Sequence, residues 1–299
     1  MKKIPTAIVG ATGMVGQKFV QLLTGHPWFK IVALAASSKN AGKPYYVALA
    51  ERKVMPDWVP PHIHNMRVLD AALDMASIAE QAGLVFCAVN MPAEETRQLE
   101  EEYAKREVVV VSANSAHRWT PDIPMIIPEV NYDHLLVLPA QRKRLGTNRG
   151  FITVKPNCSI QPYVPALHAL ADFKPLRVSV CTYQALSGAG KTFKTWPEME
   201  DNVIPFIAGE EEKSEREPLK IWGRIKGDRI VAAIGPFISA QCLRVPVSNG
   251  HLAAVSVSFG MKPTKDEILA RWAAFKGKPQ DLKLPSAPLP FLRYLTEDN

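Results

Sequence analysis

Apolar positions along the chain alternate between two spacings. Ile4–Val9 is a short apolar run with strand character, and Val15, Phe19, Leu22 and Leu23 then mark one face of a helix that Gly25 and Pro27 end. Residues 31–35 read as a second strand. Residues 71–82 read as a helix and 84–89 as a strand. Pro92 opens a helix through Arg106 with Leu99 and Tyr103 on one face, and 108–111 is a buried strand. Such alternation predicts a parallel, doubly wound α/β sheet. The second half reads differently. The β-branched run Phe151–Val154 is followed by helical spacing over 160–170, where Pro165 kinks the helix or delays its start. Residues 176–185, 229–234, 241–247 and 251–259 have strand character. The last two, joined by Ser248-Asn249-Gly250, read as a hairpin. The charge-alternating run 210–217 has the pattern of a solvated helix face. Thr264 and Glu267 form a capping box for a helix over 268–276 that Gly277 ends. A Pro-rich stretch without periodicity follows.

Length and composition narrow the class. The 299 residues are enough for two domains, and 47% hydrophobic content is that of an ordinary globular protein. No apolar run approaches the ~18 residues of a membrane span, and the N-terminus lacks a signal-peptide core, so a cytoplasmic protein without membrane partners is expected. The net charge of +7 is not gathered on one patterned element, and nucleic acid is not expected as a partner. The four cysteines, at 87, 158, 181 and 242, form no C-x-x-C pair, and His62 and His64 have no companion ligand cluster, so no metal is expected.

Two stretches carry chemistry. Gly10-Ala11-Thr12-Gly13-Met14-Val15-Gly16 lies between the first strand and the first helix, the context a dinucleotide fingerprint requires, although its spacing is G-x-x-G-x-x-G. Glycines there let the backbone approach a pyrophosphate at a helix N-terminus. After the second strand comes Ser37-Ser38-Lys39, where an NAD enzyme carries an acid for the ribose 2′-hydroxyl. Hydroxyls and a lysine suit a 2′-phosphate, so NADP is the expected cofactor. The other stretch is Lys155-Pro156-Asn157-Cys158-Ser159, at a strand-to-helix turn whose N–H groups favour a thiolate nucleophile. Arg118, beyond the strand at 108–111, could hold an anion or lie on the surface. Ser187-Gly188-Ala189-Gly190 is a second glycine-rich turn, either a flexible loop or an approach to the nicotinamide end of a cofactor.

Five motifs occur in order: GATGMVGQ (10–17), KPNCS (155–159), QALSGAG (184–190), DNVIPFIAGEEEK (201–213) and RVPVSNGH (244–251). Together they resemble aspartate-semialdehyde dehydrogenase, in the branch of archaeal and fungal enzymes, from Ile4 to about Leu295. The resemblance implies a Rossmann-like NADP-binding domain over 1–157 and an α+β catalytic and dimerisation domain over 158–299. It implies reduction of L-aspartyl-4-phosphate to aspartate semialdehyde through a cysteine thioester, within aspartate-family amino-acid biosynthesis, by a homodimer or homotetramer. Cys158 matches the nucleophile, Asn157 its neighbour near the acyl site, Gln184 the glutamine that orients the acyl group and His251 the acid/base. Arg244 matches the grip on the substrate carboxylate, Glu210 the partner of its amino group, and Lys213 and Arg118 the groups associated with phosphate. Gly10, Thr12, Gly13, Met14 and Val15 match the dinucleotide turn, Ser37 and Ser38 the 2′-phosphate site, and Ser187 and Gly188 the nicotinamide end. Family chains also continue with a strand and a helix that return to the nucleotide domain. The chain is therefore expected either to be a fragment or to have a nucleotide domain without that element, the fragment being favoured, with apolar surface left where the tail packs. A related acyl reductase acting on malonyl-CoA is the alternative within the superfamily, and Glu210 argues against it because malonyl has no ammonium to pair. A non-catalytic nucleotide-binding protein is the alternative outside it.

Overall fold

The structure, a computed structural model, describes residues 2–49 and 60–296. Contacts divide the chain into two compact units, with Met1–Pro124, Leu136–Lys155 and Gly227–Arg229 in one and Met125–Leu135, Pro156–Lys226 and Ile230–Asn299 in the other. The expected boundary after Asn157 falls two residues beyond the Lys155–Pro156 step.

The first unit is built on a parallel sheet of β1 (Ile4–Val9), β2 (Phe29–Ala36), β3 (Val68–Asp70), β4 (Leu84–Cys87), β5 (Val109–Ser112) and β6 (Phe151–Val154). Its strand order is β3-β2-β1-β4-β5-β6. The order reverses at β1, which makes the carboxyl end of β1 the place where an open α/β sheet takes a ligand. Register puts Val9, Cys87, Ser112 and Val154 abreast, so the segments after four strands leave the sheet at one level. Helices α1 (Met14–Leu23), α2 (Met75–Gln81) and α3 (Ala93–Lys105) follow β1, β3 and β4. Helix α2 starts four residues later than the apolar spacing predicts. The cause is Asp70, whose Oδ1 accepts the N–H groups of Ala72 and Leu73 at 2.9 Å each and holds a turn there instead. Val20, Leu23, Leu34, Tyr45 and Val68 close the core around α1 and β2.

The second unit holds a three-stranded mixed sheet of β7 (Pro175–Gln184), β8 (Phe237–Arg244) and β9 (Leu252–Phe259). The hairpin expected of β8 and β9 does not form. The order is β8-β7-β9, with β8 parallel and β9 antiparallel to β7. The intervening turn residues pair elsewhere: Val247 O accepts the N–H of Leu186 at 2.9 Å and Ser248 O that of Ser187 at 3.2 Å, so the connection passes the end of β7 rather than closing on itself. This places Arg244 opposite Gln184 and Leu252 opposite Tyr183, and brings three distant motifs to one end of the sheet.

The helix expected from Ile160 is also displaced. Residues after Cys158 form turns, and helix α4 spans only Val164–His168, with Pro165 in its first turn, where a missing N–H costs least. Helix α5 (Glu210–Ile221) corrects the reading of a solvated charged face. Ser214, Glu217 and Lys220 are buried, because this side of the helix faces the sheet and the Cys158 loop. Helix α6 (Lys265–Ala274) carries the predicted capping box, with Glu267 N–H donating to Thr264 Oγ1 at 3.3 Å and Thr264 N–H to Glu267 Oε2 at 2.7 Å. Among the described residues no helix is long and apolar enough to cross a membrane.

Candidate active site and cofactor cradle

The glycine turn of the first unit is fixed largely by backbone. Gly10 has φ +88, and a Cβ there would lie 2.2 Å from the carbonyl oxygen of Ala88, so β1 cannot turn here with any larger residue. A Cβ on Gly16 would lie 2.1 Å from the oxygen of Gly10, so the closeness of α1 to the turn requires that glycine as well. Gly13 is different. Its φ is −75, and the nearest atom to an added Cβ is Gly10 O at 3.4 Å, ordinary van der Waals distance. The fold does not require glycine at 13; space for a bound group in front of α1 would. The carbonyls of Ala11 and Thr12 are taken by Tyr45 Oη at 2.8 Å and Gln17 Nε2 at 3.0 Å. The N–H groups of the first helical turn, including those of Met14 and Val15, have no acceptor within the helix. This is a cradle a dinucleotide pyrophosphate fits. Ser37 and Ser38 are exposed just past β2, and Asn40 Nδ2 reaches Thr12 Oγ1 at 3.4 Å. Arg118, in the same unit, is buried rather than superficial, with Nε donating to Lys155 O at 3.2 Å.

The second unit gathers the side chains predicted for chemistry. Cys158 is exposed, and its Sγ lies 3.2 Å from His251 Nε2. Nδ1 of the same ring accepts the backbone N–H of Ala185 at 3.1 Å. A backbone N–H can only donate, so the neutral ring carries its proton on Nε2, facing the sulfur. The carbonyl of Ala185, in the next peptide group, accepts Arg244 Nη1 at 2.8 Å. The backbone of one residue thus orients both the histidine and the arginine. Gly188 lies over the pair: a Cβ there would stand 2.8 Å from His251 Cε1 and 2.9 Å from Arg244 Nη1. Burial lowers the pKa of the Arg244 guanidinium, while the charges of Glu210 and Cys158 oppose that shift.

Glu210 is the hub of the polar network. Its carboxylate accepts Asn157 Nδ2 at 3.1 and 3.0 Å, Gln184 Nε2 at 3.2 Å and Lys213 Nζ at 2.7 Å. Burial works to raise its pKa, but Lys213, Asn157 and Gln184 outweigh burial and hold the carboxyl below its ordinary value. Its neighbour Glu212 is exposed and pairs with Arg216. The geometry thus distinguishes Glu210 from Glu212. Sequence alone does not single out Ala185, which acts through its backbone, or Ser159, or Ser214 and Glu217, whose signal is an i, i+4, i+7 spacing with Glu210 hidden in a charged run. Among the described residues no three of His, Cys, Asp and Glu form a metal-binding group.

Comparison with known proteins agrees with this arrangement. Residues 5–137 match the family model of the semialdehyde dehydrogenase NAD-binding domain, and 167–294 that of the semialdehyde dehydrogenase dimerisation domain. The chain is 40% identical to aspartate-semialdehyde dehydrogenase of Archaeoglobus fulgidus over 286 residues, 94% of this chain and 78% of that one. It is 31% identical to the NADP-dependent malonyl-CoA reductase of Metallosphaera sedula over 99% of this chain and 81% of that one. Among solved structures, aspartate semialdehyde dehydrogenase with NADP from Candida albicans superposes with a TM-score of 0.81 at 29% identity, covering 94% of this chain and 79% of that one. With a doubly wound NAD-binding domain, a dimerisation domain and this degree of identity over most of its length, the chain belongs to the aspartate-semialdehyde dehydrogenase family.

Proposed function

We propose that this protein catalyses the NADP-dependent, phosphorylating interconversion of L-aspartyl-4-phosphate and L-aspartate 4-semialdehyde, a step of aspartate-family amino-acid biosynthesis. The observation that carries the reading is the 3.2 Å contact of Cys158 Sγ with His251 Nε2, with Arg244 converging on the same point above Gly188. A substrate bearing a carboxylate, an ammonium and a phosphate needs a guanidinium, a carboxylate and further cations; Arg244, Glu210, and Lys213 with Arg118, have those charges.

In the biosynthetic direction the Cys158 thiolate attacks the acyl carbon, the C–O bond to phosphate breaks with its electron pair, and a thioester forms. Gln184 and Asn157 orient the acyl group. In the first unit Gly10, Thr12, Gly13, Met14, Val15, Ser37 and Ser38 would hold the dinucleotide of NADPH, and in the second Ser187 and Gly188 would face a nicotinamide; the cofactor, when bound, would supply the hydride that takes the thioester to the aldehyde level. The C–S bond then breaks, the aldehyde leaves and the thiolate returns. His251 donates from Nε2 to whichever atom, sulfur or acyl oxygen, carries the negative charge at each stage. The proposal includes a cytoplasmic homodimer joined through the segment that matches the dimerisation model.

The test mixes the purified chain with aspartate semialdehyde, phosphate and NADP and follows nicotinamide absorbance beside Cys158→Ala. Phosphate-dependent NADP reduction that disappears in the variant is the expected result. Silence with these substrates, together with NADPH-dependent reduction of malonyl-CoA that ignores Glu210→Gln, would transfer the assignment to the acyl-CoA branch.

A further inference from the structure

We infer that Glu217 is a positioning residue for the nucleophile, and that helix α5 registers substrate and thiolate against one rigid element. The inference rests on Cys158 being the nucleophile. Glu217 is 1% exposed, yet it belongs to a run whose pattern is that of a solvated face. Its Oε2 accepts the backbone N–H of Asn157 at 2.6 Å, a short charge-assisted bond to the residue immediately before Cys158. The residue immediately after is also fastened. Asn157 Oδ1 accepts both the N–H and the Oγ–H of Ser159 at 2.8 Å, and Ser159 Oγ lies 3.3 Å from Ser214 Oγ. Farther along the loop, Tyr163 Oη donates to Ser214 O at 2.9 Å.

Residues 210, 214 and 217 lie at i, i+4 and i+7, one face of α5. From that face Glu210 receives the Asn157 amide, Ser214 meets Ser159 and Tyr163, and Glu217 holds the Asn157 N–H. The flanks of Cys158 are tied down while the cysteine itself is exposed. No helix begins at Cys158 to fix its backbone, since α4 starts only at Val164. With Gln161 Nε2, which donates to Asn157 O at 3.2 Å, the tie from Glu217 holds the main chain next to Cys158 opposite His251. A displacement near 1 Å at a reacting centre can cost about a hundredfold in rate, and a side chain that never touches substrate then governs kcat.

The experiment uses the full chain and the variants Glu217→Ala, Glu217→Asp and Glu217→Gln. It reads kcat per titrated Cys158 thiol, KM for aspartate semialdehyde, and the rate of Cys158 alkylation by iodoacetamide. Glu217→Ala is expected to lower kcat about thirtyfold with KM within about twofold, and to shift the alkylation rate. Glu217→Gln keeps an amide oxygen for the Asn157 N–H and is expected to recover to within about fivefold of the parent. A residue that only supported folding would lower Tm and leave kcat per thiol unchanged. That outcome, or a Gln variant as slow as Ala, overturns the inference. If Glu217→Ala does not fold, Glu217→Asp decides: its carboxylate is one methylene short, and an unchanged kcat and alkylation rate overturn the inference. A parent whose activity survives Cys158→Ala would refute the proposed function, whereas a Cys158-dependent parent indifferent to position 217 would refute only this inference.

Discussion

The two units make their sites from different materials. The parallel sheet of the first offers a cradle of main chain: a turn at Gly10, a helix N-terminus behind Gly13, and strand ends that leave the sheet abreast. The mixed sheet of the second offers side chains, drawn from a loop at 157–158, the end of β7 at Gln184, the first turn of α5 and the segment from Arg244 to His251. A backbone site tolerates change in side chains and punishes an added Cβ. A side-chain site is the reverse, except where a glycine makes room for its charged groups. Gly188 is that exception, and it links the two behaviours.

Experiments can test the contrast from its strongest consequence downward. Cys158→Ala is expected to lower turnover by more than about a thousandfold while NADP binding, followed by fluorescence quenching, stays within about twofold. Equal loss of both would mean that the sites are not separable. His251→Ala, which removes the Nε2 donor, is expected to cost roughly a hundredfold to a thousandfold in kcat. His251→Gln, which can present an amide N–H, should lie above Ala; equality between them would count against the donor role. Gly188→Ala forces a Cβ against His251 and Arg244 and is expected to cost about thirtyfold in kcat/KM with little change in Tm. A Tm drop without a kinetic effect would make this glycine a matter of folding alone.

The glycine turn permits an internal control. Gly16→Ala collides with backbone at 2.1 Å and is expected to destabilise by about 3 kcal/mol. Gly13→Ala meets nothing closer than 3.4 Å and is expected to leave Tm unchanged while raising KM for NADP about tenfold. Similar Tm losses in both would remove the argument that position 13 is kept small for a ligand. The smallest effect concerns pH. Burial lowers the pKa of His117, against the opposing charge of Glu101, and also that of His168, so both rings fold neutral. Below the unfolded value of about 6.5, the unfolded chain takes up protons that these buried rings resist, and stability falls as pH falls. Denaturation midpoints measured from neutral pH down to about 5.5 should decline, and His117→Gln should flatten part of that slope. The Glu210 carboxyl, held below its ordinary value by Lys213, Asn157 and Gln184, is expected to stay ionised over the same range and to add nothing to that slope.

Legibility from sequence follows the same division. The cradle was readable because its parts are contiguous: strand, glycines and helix occupy residues 4 to 23, and local sterics alone specify the turn. The parallel alternation was readable for a related reason, since each strand and helix carries its own spacing. The second sheet was not. Two strands with a turn between them look like a hairpin at short range, and the long-range pairing that inserts β7 between them, with the bonds from Leu186 and Ser187 to the turn residues, has no local signature. Side-chain identities at 158, 244 and 251 were recovered through resemblance to a family, while the contacts that orient them were not. The Ala185 backbone has no side-chain signature, and Glu217 looked like one more surface charge. Helix α4 begins only where Pro165 can sit in its first turn; that proline is visible in the sequence, but its effect on the Cys158 turn depends on packing.

The separation of Cys158 and His251 along the chain, 93 residues, has a consequence for synthesis. At about 5–20 residues per second, a ribosome adds the cysteine on the order of 5–20 s before the histidine. Throughout that interval the sulfur lacks the Nε2 donor, even once Ala185 and helix α5 have been added. The Cys158–His251 pair is therefore a property of the finished fold, and in the growing chain the sulfur stands without its partner.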